Sequence, residues 1–340
     1  MFRKIFNLFG KNLAMDLGTA NTLLYTQKDG IVLNEPSVVA VDTEKGSVLA
    51  VGREAKEFLG RTPTRIKAVR PMRDGVIADF DITSKLIEFF IRKVTRRLSL
   101  SRPGIVICVP TGITQVEKRA VVESARQAGS GEVFLIEEPM AAAIGASLPF
   151  DQPRGNMVVD IGGGTTEVAV ISLFAIAYAE SVRIAGDAMN NAVQRYFYEE
   201  FQLLIGENMA ERIKISLGTA CQQREQLVAD VAGKDMVSGV PRVIRVSDGH
   251  IREALADTVR AIVTAICKAL EKTPPELSAD IMDQGILMAG GGSLLKGLDA
   301  LVHKKTGLKV ILDSEALTTV VRGTGKTLEN RKLYSRVYIN

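Results

Sequence analysis

One pattern occurs twice in this chain and constrains it more than any other feature. Leu13 to Thr26 (LAMDLGTANTLLYT) and Met157 to Ser172 (MVVDIGGGTTEVAVIS) each read as an apolar strand, an Asp, an apolar residue, a turn carrying glycine and Thr, and a second apolar strand. Glycine in such a turn lets another group approach the backbone closely. The turn then offers unobstructed N–H groups, a hydroxyl, and a carboxylate able to hold hydrated Mg²⁺ beside phosphate oxygens. Either hairpin in isolation is most simply a structural turn. Two in matching positions, with Asp16 matched to Asp160 and Thr19 to Thr165, point instead to a duplicated fold in which each half brings one hairpin to a shared cleft.

The length of 340 residues suits two units of roughly 150 residues each. Hydrophobic residues at 46% and charged residues at 24% provide ample surface to bury and exclude a disordered or fibrous chain. The longest apolar runs, such as Ile105 to Val109 and Ile286 to Ala289, fall far short of the ~20 residues that span a bilayer, so no transmembrane helix is expected. Cys108, Cys221 and Cys267 lie far apart without a CxxC pair, which indicates neither a disulfide frame nor a zinc site and suits a reducing cytoplasm. His250 and His303 are remote from other ligand types, so histidine-based metal or triad chemistry is not expected. Basic residues bunch at Arg61, Arg65, Lys67, Arg70 and Arg73, and again at Arg92, Lys93, Arg96, Arg97 and Arg102. Solvated faces are the simplest reading of both runs. With a net charge of only +4, 5% aromatics and no tryptophan, a nucleic-acid partner is not expected.

Between the hairpins, a helical pattern over 82–98, the strand at Ile105, a helical pattern over 114–128 and the strand Val133 to Ile136 alternate as in an α/β fold. After the second hairpin come helical patterns over 187–205, 207–217 and 250–270, with a β-like stretch over 225–246 before the last of them. AGGGSLL (Ala289 to Leu295) is a third strand-to-helix glycine turn, where Ser293 can cap a helix and a planar ring can lie on flat backbone; a plain tight turn explains it too. FLIEEPMAAAIGA (Phe134 to Ala146) ends a strand on Glu137 and Glu138 and enters a small-residue helix through Pro139. A carboxylate there can point into the cleft or simply complement the positive helix N-terminus. The GxGxxG spacing of dinucleotide binding and the GxxxxGKS/T phosphate loop are both missing, which excludes a hydride-transferring dehydrogenase and the commonest ATPase class.

Taken together, DLGTANTLLY, VLNEPSVVA, VGREAKEFLGRTP, RPMRDGVIADF, ICVPTGITQVEKRA, FLIEEPMAAAIGA, VVDIGGGTTEVAVIS, AERIK and MAGGGSLL resemble the MreB family of bacterial actin homologues, within the actin, DnaK-type chaperone and sugar-kinase superfamily. The resemblance covers nearly the whole chain. Met15 and Ala185 depart from its usual residues, and neither removes a ligand side chain. It implies an α/β, actin-like ATPase fold: lobe I over 12–150 with a small insert at about 33–78, lobe II over 151–320 with an insert at about 187–247, and a C-terminal segment over 321–340 returning to lobe I.

The resemblance also implies ATP with Mg²⁺ between the lobes. Asp16 and Asp160 would arrange the metal and its waters, and Thr19, Ala20, Asn21, Gly162, Gly163, Gly164 and Thr165 would hold the phosphates. Glu138, rather than Glu137, would position the attacking water beside Thr165. Glu211, Arg212, Ile213 and Lys214 of AERIK, with Gly290, Gly291, Gly292 and Ser293, would bracket the adenosine, and Asp187 would meet the ribose. The expected activity is ATP hydrolysis coupled to self-assembly into filaments of paired protofilaments. The expected setting is the inner face of the cytoplasmic membrane, with cell-wall elongation and transmembrane shape proteins as partners, where the filaments hold a rod shape. A sugar or small-molecule kinase of the same superfamily is the alternative, but no motif supplies a base for an acceptor hydroxyl.

The first eleven residues, MFRKIFNLFGK, place Phe2, Ile5, Phe6 and Phe9 on one helical face and basic residues largely on the other. This reads as an in-plane membrane anchor, against the plainer alternative of a helix packed on its own domain. Four such side chains bring at most about 6 to 12 kcal/mol, set against ~1 to 2 kcal/mol per residue for ordering the helix. One copy binds marginally, and a filament displaying many copies binds well. Leu98 and Leu100, in a basic loop, are candidates for a second membrane contact.

Overall fold

The computed structural model describes residues 12–95 and 102–339. The proposed membrane contacts at Phe2, Ile5, Phe6, Phe9, Leu98 and Leu100 lie outside the described residues. Two five-stranded sheets form the frame. In the first, the strands run in the order Val133–Glu137, Ile105–Val109, Leu13–Leu17, Asn21–Thr26, Gly30–Pro36. In the second, they run Val310–Leu312, Ile286–Ala289, Asn156–Ile161, Thr166–Ser172, Ala175–Val182. Both sheets are parallel through their first three strands and antiparallel through the hairpin and the strand beyond it. The duplication read from two short motifs therefore extends to whole sheet topology.

The ladders correct one detail of that reading. Leu17 pairs with Thr22 and Ile161 with Thr166, so the turns occupy residues 18–21 and 162–165 and are equally long. Asp16 and Asp160 are equivalent, but Thr19 corresponds to Gly163, and Thr165 corresponds to Asn21. The two Thr side chains come from different points of their turns.

Each sheet carries an insert after its antiparallel edge. The first holds the small sheet Val48–Val51, Val39–Asp42, Ile66–Val69, the helix Arg53–Phe58, and the short hairpin Met72–Arg73 with Val76–Ile77. The second holds the helices Gly186–Phe201 and Glu207–Leu217 and the hairpin Val228–Asp235 with Pro241–Ser247. The helical pattern over 82–98 forms the helix Phe80–Val94, which starts where the Asp79 carboxylate accepts the Ile82 N–H.

Two short helices, Glu138–Gly145 and Thr319–Lys326, lie between the sheets and pack on one another. Their backbones meet at small residues: Ala141 and Gly145 on one side, Thr319 and Gly323 on the other. A methyl group added at Gly145 would overlap the Thr319 carbonyl, and one at Gly323 would overlap that of Ala141. Lys326 Nζ reaches the Ile144 and Gly145 carbonyls at 3.0 and 3.1 Å, satisfying the C-terminal end of the facing helix. Beyond it the chain returns to the first sheet, where the Ile339 N–H donates to Leu135 O at 3.0 Å. Gly323→Ala overpacks this crossing and is expected to destabilise the protein by at least ~1 to 3 kcal/mol. Chemical denaturation checks this, and an unchanged midpoint would contradict the close approach.

Candidate functional site

The two hairpin turns face each other across a cleft that holds about 1170 Å³ of solvent-open space between the sheets. Their glycines are needed for that approach. A Cβ on Gly163 would stand 2.6 Å from Ala20 Cβ, and one on Gly164 would stand 2.6 Å from Thr19 Oγ1. Thr19 Oγ1 in turn accepts the Gly75 N–H at 3.1 Å, fixing the short hairpin of the first insert beside the cleft. On the other side, the N–H groups of Gly186 and Asp187 donate to Gly162 O and Gly163 O at 3.1 and 2.8 Å. The second turn is thereby docked on the N-terminus of the helix Gly186–Phe201, an end whose dipole favours anions.

Carboxylates gather on the cleft floor. Asp16 and Glu138 lie there with the Cys108 thiol, and the ligand-type atoms of these three residues are all within 4.8 Å of one another. Cys108 Sγ donates to Asp16 Oδ1 at 3.3 Å. Burial raises the Asp16 carboxyl to about 6, against the smaller lowering effect of that thiol bond. Asp160 is raised to about 7, by burial first and then by Asp16 and Glu167. Glu138 is pushed well above its usual range by burial, with Asp160, Glu167 and Asp16 adding repulsion. Asp160 Oδ1 is buried without a hydrogen-bond donor among the described residues. Hard carboxylate oxygens in this number, one of them unpartnered, fit a hydrated Mg²⁺, whereas the protonated thiol does not.

The other end of the cleft is cationic. Lys56, Arg70 and Lys214 line it together with Glu211, Asp187 and Asn190. Lys214 Nζ donates to Gly186 O at 3.0 Å. Two ion pairs cross between the inserts, Lys56 with Glu211 at 2.5 Å and Arg70 with Glu207 at 2.5 Å. Burial raises the Asp187 carboxyl, with Arg70 opposing it. Asn190 is buried and its Oδ1 has no partner among the described residues. Gly290, at φ 78, completes this wall; any side chain there would strike Asp160 Oδ1 and the Ile161 carbonyl.

Most of the residues singled out from sequence meet here: Asp16, Thr19, Ala20, Asn21, Glu138, Asp160, Gly162 to Thr165, Asp187, Glu211, Lys214 and Gly290 to Gly292. Three do not line the cleft. Arg212 is turned out to solvent and Ile213 is buried in the second lobe's core, because successive helical residues point about 100° apart. Ser293 is buried and its hydroxyl bonds to Gly290 O at 2.6 Å, within its own turn. Conversely, sequence reading missed Lys56 and Asn190 and placed Arg70 on a solvated face. Arg70 instead reaches Glu207, far along the chain, so nothing in its local sequence marks it.

The raised carboxyls carry a stability consequence. Their folded pKa values exceed the unfolded ones, so the folded protein binds more protons than the unfolded chain between roughly pH 4 and 7. Stability from these groups is intact below the unfolded pKa and is lost as pH rises through the folded one. Asp235, held low by the Ser238 N–H, titrates beneath this window. Without nucleotide and with divalent metal chelated, the unfolding free energy is expected to fall by on the order of 1 to 3 kcal/mol from pH 5 to pH 8. Asp160→Asn should flatten that slope. Denaturant titrations across pH read it directly, and a flat wild-type profile would count against the buried cluster.

A family model described as MreB/Mbl protein matches residues 10–336. The chain is similar to the cell shape-determining protein MreB of Escherichia coli (strain K12), with 50% identity over 334 residues that cover 97% of this chain and 96% of that protein. It is also similar to the cell shape-determining protein Mbl of Bacillus subtilis (strain 168), 47% identical over 323 residues, covering 95% and 97%. Among solved structures, MreB 5 of Spiroplasma citri bound to AMPPNP matches with a TM-score of 0.91 at 32% identity, over 95% of this chain and 97% of that one. The MamK double helical filament matches in fold, with a TM-score of 0.80 at 22% identity, over 94% and 99%. With duplicated sheets, a shared cleft and sequence similarity along nearly its full length, this chain has the actin-like fold and belongs to the MreB/Mbl family.

Proposed function

We propose that this chain binds and hydrolyses ATP with Mg²⁺ and polymerises into actin-like filaments that organise cell-wall synthesis and maintain cell shape at the inner face of the cytoplasmic membrane. The observation that carries this reading is the convergence of Asp16, Glu138 and Asp160 on one cleft floor beneath two facing glycine turns. The relatives named above are cell shape-determining proteins, MreB 5 is seen with AMPPNP and with ADP, and MamK forms a double helical filament.

In this reading the turn amides of residues 18–21 and 162–165, with the Thr19 and Thr165 hydroxyls, bind the phosphates. Asp16 and Asp160 hold Mg²⁺ through its waters. When bound, the ion would supply positive charge that offsets the phosphates and would favour the ionised form of the crowded carboxylates. Glu138, at the N-terminus of the crossing helix, accepts from the attacking water and orients it. Glu211 and Lys214 flank the adenosine, Asp187 and Asn190 face the ribose, and the Gly290 to Gly292 backbone provides the flat wall. Lobe I (12–150) and lobe II (151–320) close around the nucleotide, and closure sets the affinity of one subunit for the next. Residues 1–11 anchor the filament, its many copies compensating for the weak hold of each.

Glu138→Ala is expected to slow phosphate release by on the order of 10²-fold while ATP affinity stays within about twofold. Unchanged turnover in a phosphate-release assay would sink the assignment of Glu138. ATP-dependent pelleting of the full chain, without any acceptor substrate, tests assembly. Removal of residues 1–11 should abolish co-sedimentation with anionic liposomes and leave pelleting in place; binding that persists would refute the anchor.

A further inference from the structure

Glu167 is a buried carboxylate that the reading above does not use. It sits on the second hairpin directly opposite Asp160 in the ladder, so the two side chains lie side by side on one face of the sheet. Its exposure is only 1%, and no lysine or arginine pairs with it among the described residues. A carboxylate in such a place is retained only if its hydrogen bonds matter.

One of those bonds stays within its sheet and the other crosses between the lobes. Glu167 Oε1 accepts from Ser181 Oγ at 2.7 Å, on the neighbouring strand of its own sheet. Glu167 Oε2 accepts the backbone N–H of Thr111 at 3.2 Å, in the loop that follows the strand Ile105–Val109 of the first sheet. The next backbone N–H, that of Gly112, lies near enough to Glu137, the residue immediately before Glu138, to oppose the rise that burial gives its carboxyl. Gly112 has φ 75, a conformation that favours glycine, so this tight turn is written into the sequence. Two consecutive N–H groups of one turn thus face carboxylates of both lobes, Thr111 bonded to Glu167 and Gly112 beside Glu137. A continuous path runs from Asp160 to Glu167, through the 110–112 turn, to Glu137 and Glu138.

We propose that Glu167 is a positioning residue for hydrolysis: by gripping the Thr111–Gly112 turn it holds Glu138 of one lobe at a fixed place relative to Asp160 of the other. This rests on the assignment of ATP hydrolysis to the cleft. It does not require Glu167 to touch nucleotide or metal. Loss of the grip lets the base of the cleft loosen, which harms a step needing close alignment of the water far more than it harms nucleotide binding.

Two substitutions separate reach from charge in the full-length protein. Glu167→Gln keeps the length and an oxygen that accepts the Thr111 N–H, while its amide donates to Ser181 Oγ. Glu167→Asp keeps the charge but is a methylene too short to hold both partners. In steady-state phosphate release with Mg-ATP, Gln is expected to keep kcat within about threefold of wild type and Asp to lower it by about tenfold or more. The KM and the separately measured Kd for ATP should move by less than about twofold in both. The reverse order, with Asp near wild type and Gln impaired, overturns the positioning role in favour of charge. Equal kcat in all three proteins overturns it as well, and so does a matching loss of ATP affinity, which marks general damage to the cleft. Failure of the wild type itself to hydrolyse ATP would instead defeat the assignment of function.

Discussion

The crowding of like charges at the cleft floor governs much else in this molecule. Asp16, Glu138, Asp160 and Glu167 are brought together with no lysine or arginine paired to any of them among the described residues. Burial pushes each upward, and repulsion from the others pushes Glu138 and Asp160 further. Such an arrangement persists only on a stiff scaffold, because side chains free to move would swing apart toward water. Asp16 and Asp160 accordingly sit on the middle strands of their sheets, flanked by a parallel neighbour on one side and the hairpin partner on the other. Glu138 begins a helix whose other residues are almost all buried.

Stiffness within each lobe is combined with freedom between them. The crossing of Glu138–Gly145 with Thr319–Lys326 brings backbone against backbone where Gly145 meets Thr319 and Gly323 meets Ala141. At the far end of the cleft, the inserts are joined by Lys56 with Glu211 and Arg70 with Glu207, pairs that remain partly open to solvent. Exposed pairs of this kind contribute roughly 0 to 1 kcal/mol each. Compared with the dense crossing they are weak ties, and both cations also line the cleft that a polyanionic ligand would enter. The geometry is that of a firm pivot at one side and a light, reversible closure at the other.

What could be read from the sequence follows the same division. The hairpins, their Asp residues and the glycines were legible because a tight backbone approach leaves its mark on the residues that make it. The equivalence of Thr19 with Thr165 was misjudged because it needed a gap that the equal turn lengths exclude. Arg212, Ile213 and Ser293 share motifs with cleft residues, yet a helix or a tight turn sends neighbouring side chains in different directions. The roles of Lys56, Arg70 and Glu167 are illegible for another reason. Each acts through a partner more than 50 positions away, and local pattern carries no record of a contact that only the folded chain creates.

The duplication also explains why chemistry and shape are coupled here. A site built inside one lobe could bind and react without altering the relation between lobes. This one takes equivalent Asp residues from both sheets and a turn from each, so any ligand that contacts both must bind one lobe spacing better than another. That difference in affinity is the whole of what a ligand can contribute to a conformational equilibrium. In the proposed function, loss of a phosphate held between the two turns would remove contacts to both lobes at once and release the preference for closure. With backbone against backbone at the pivot, that release would let the lobes rotate about it rather than slide, with the largest displacement at the inserts, farthest from the crossing.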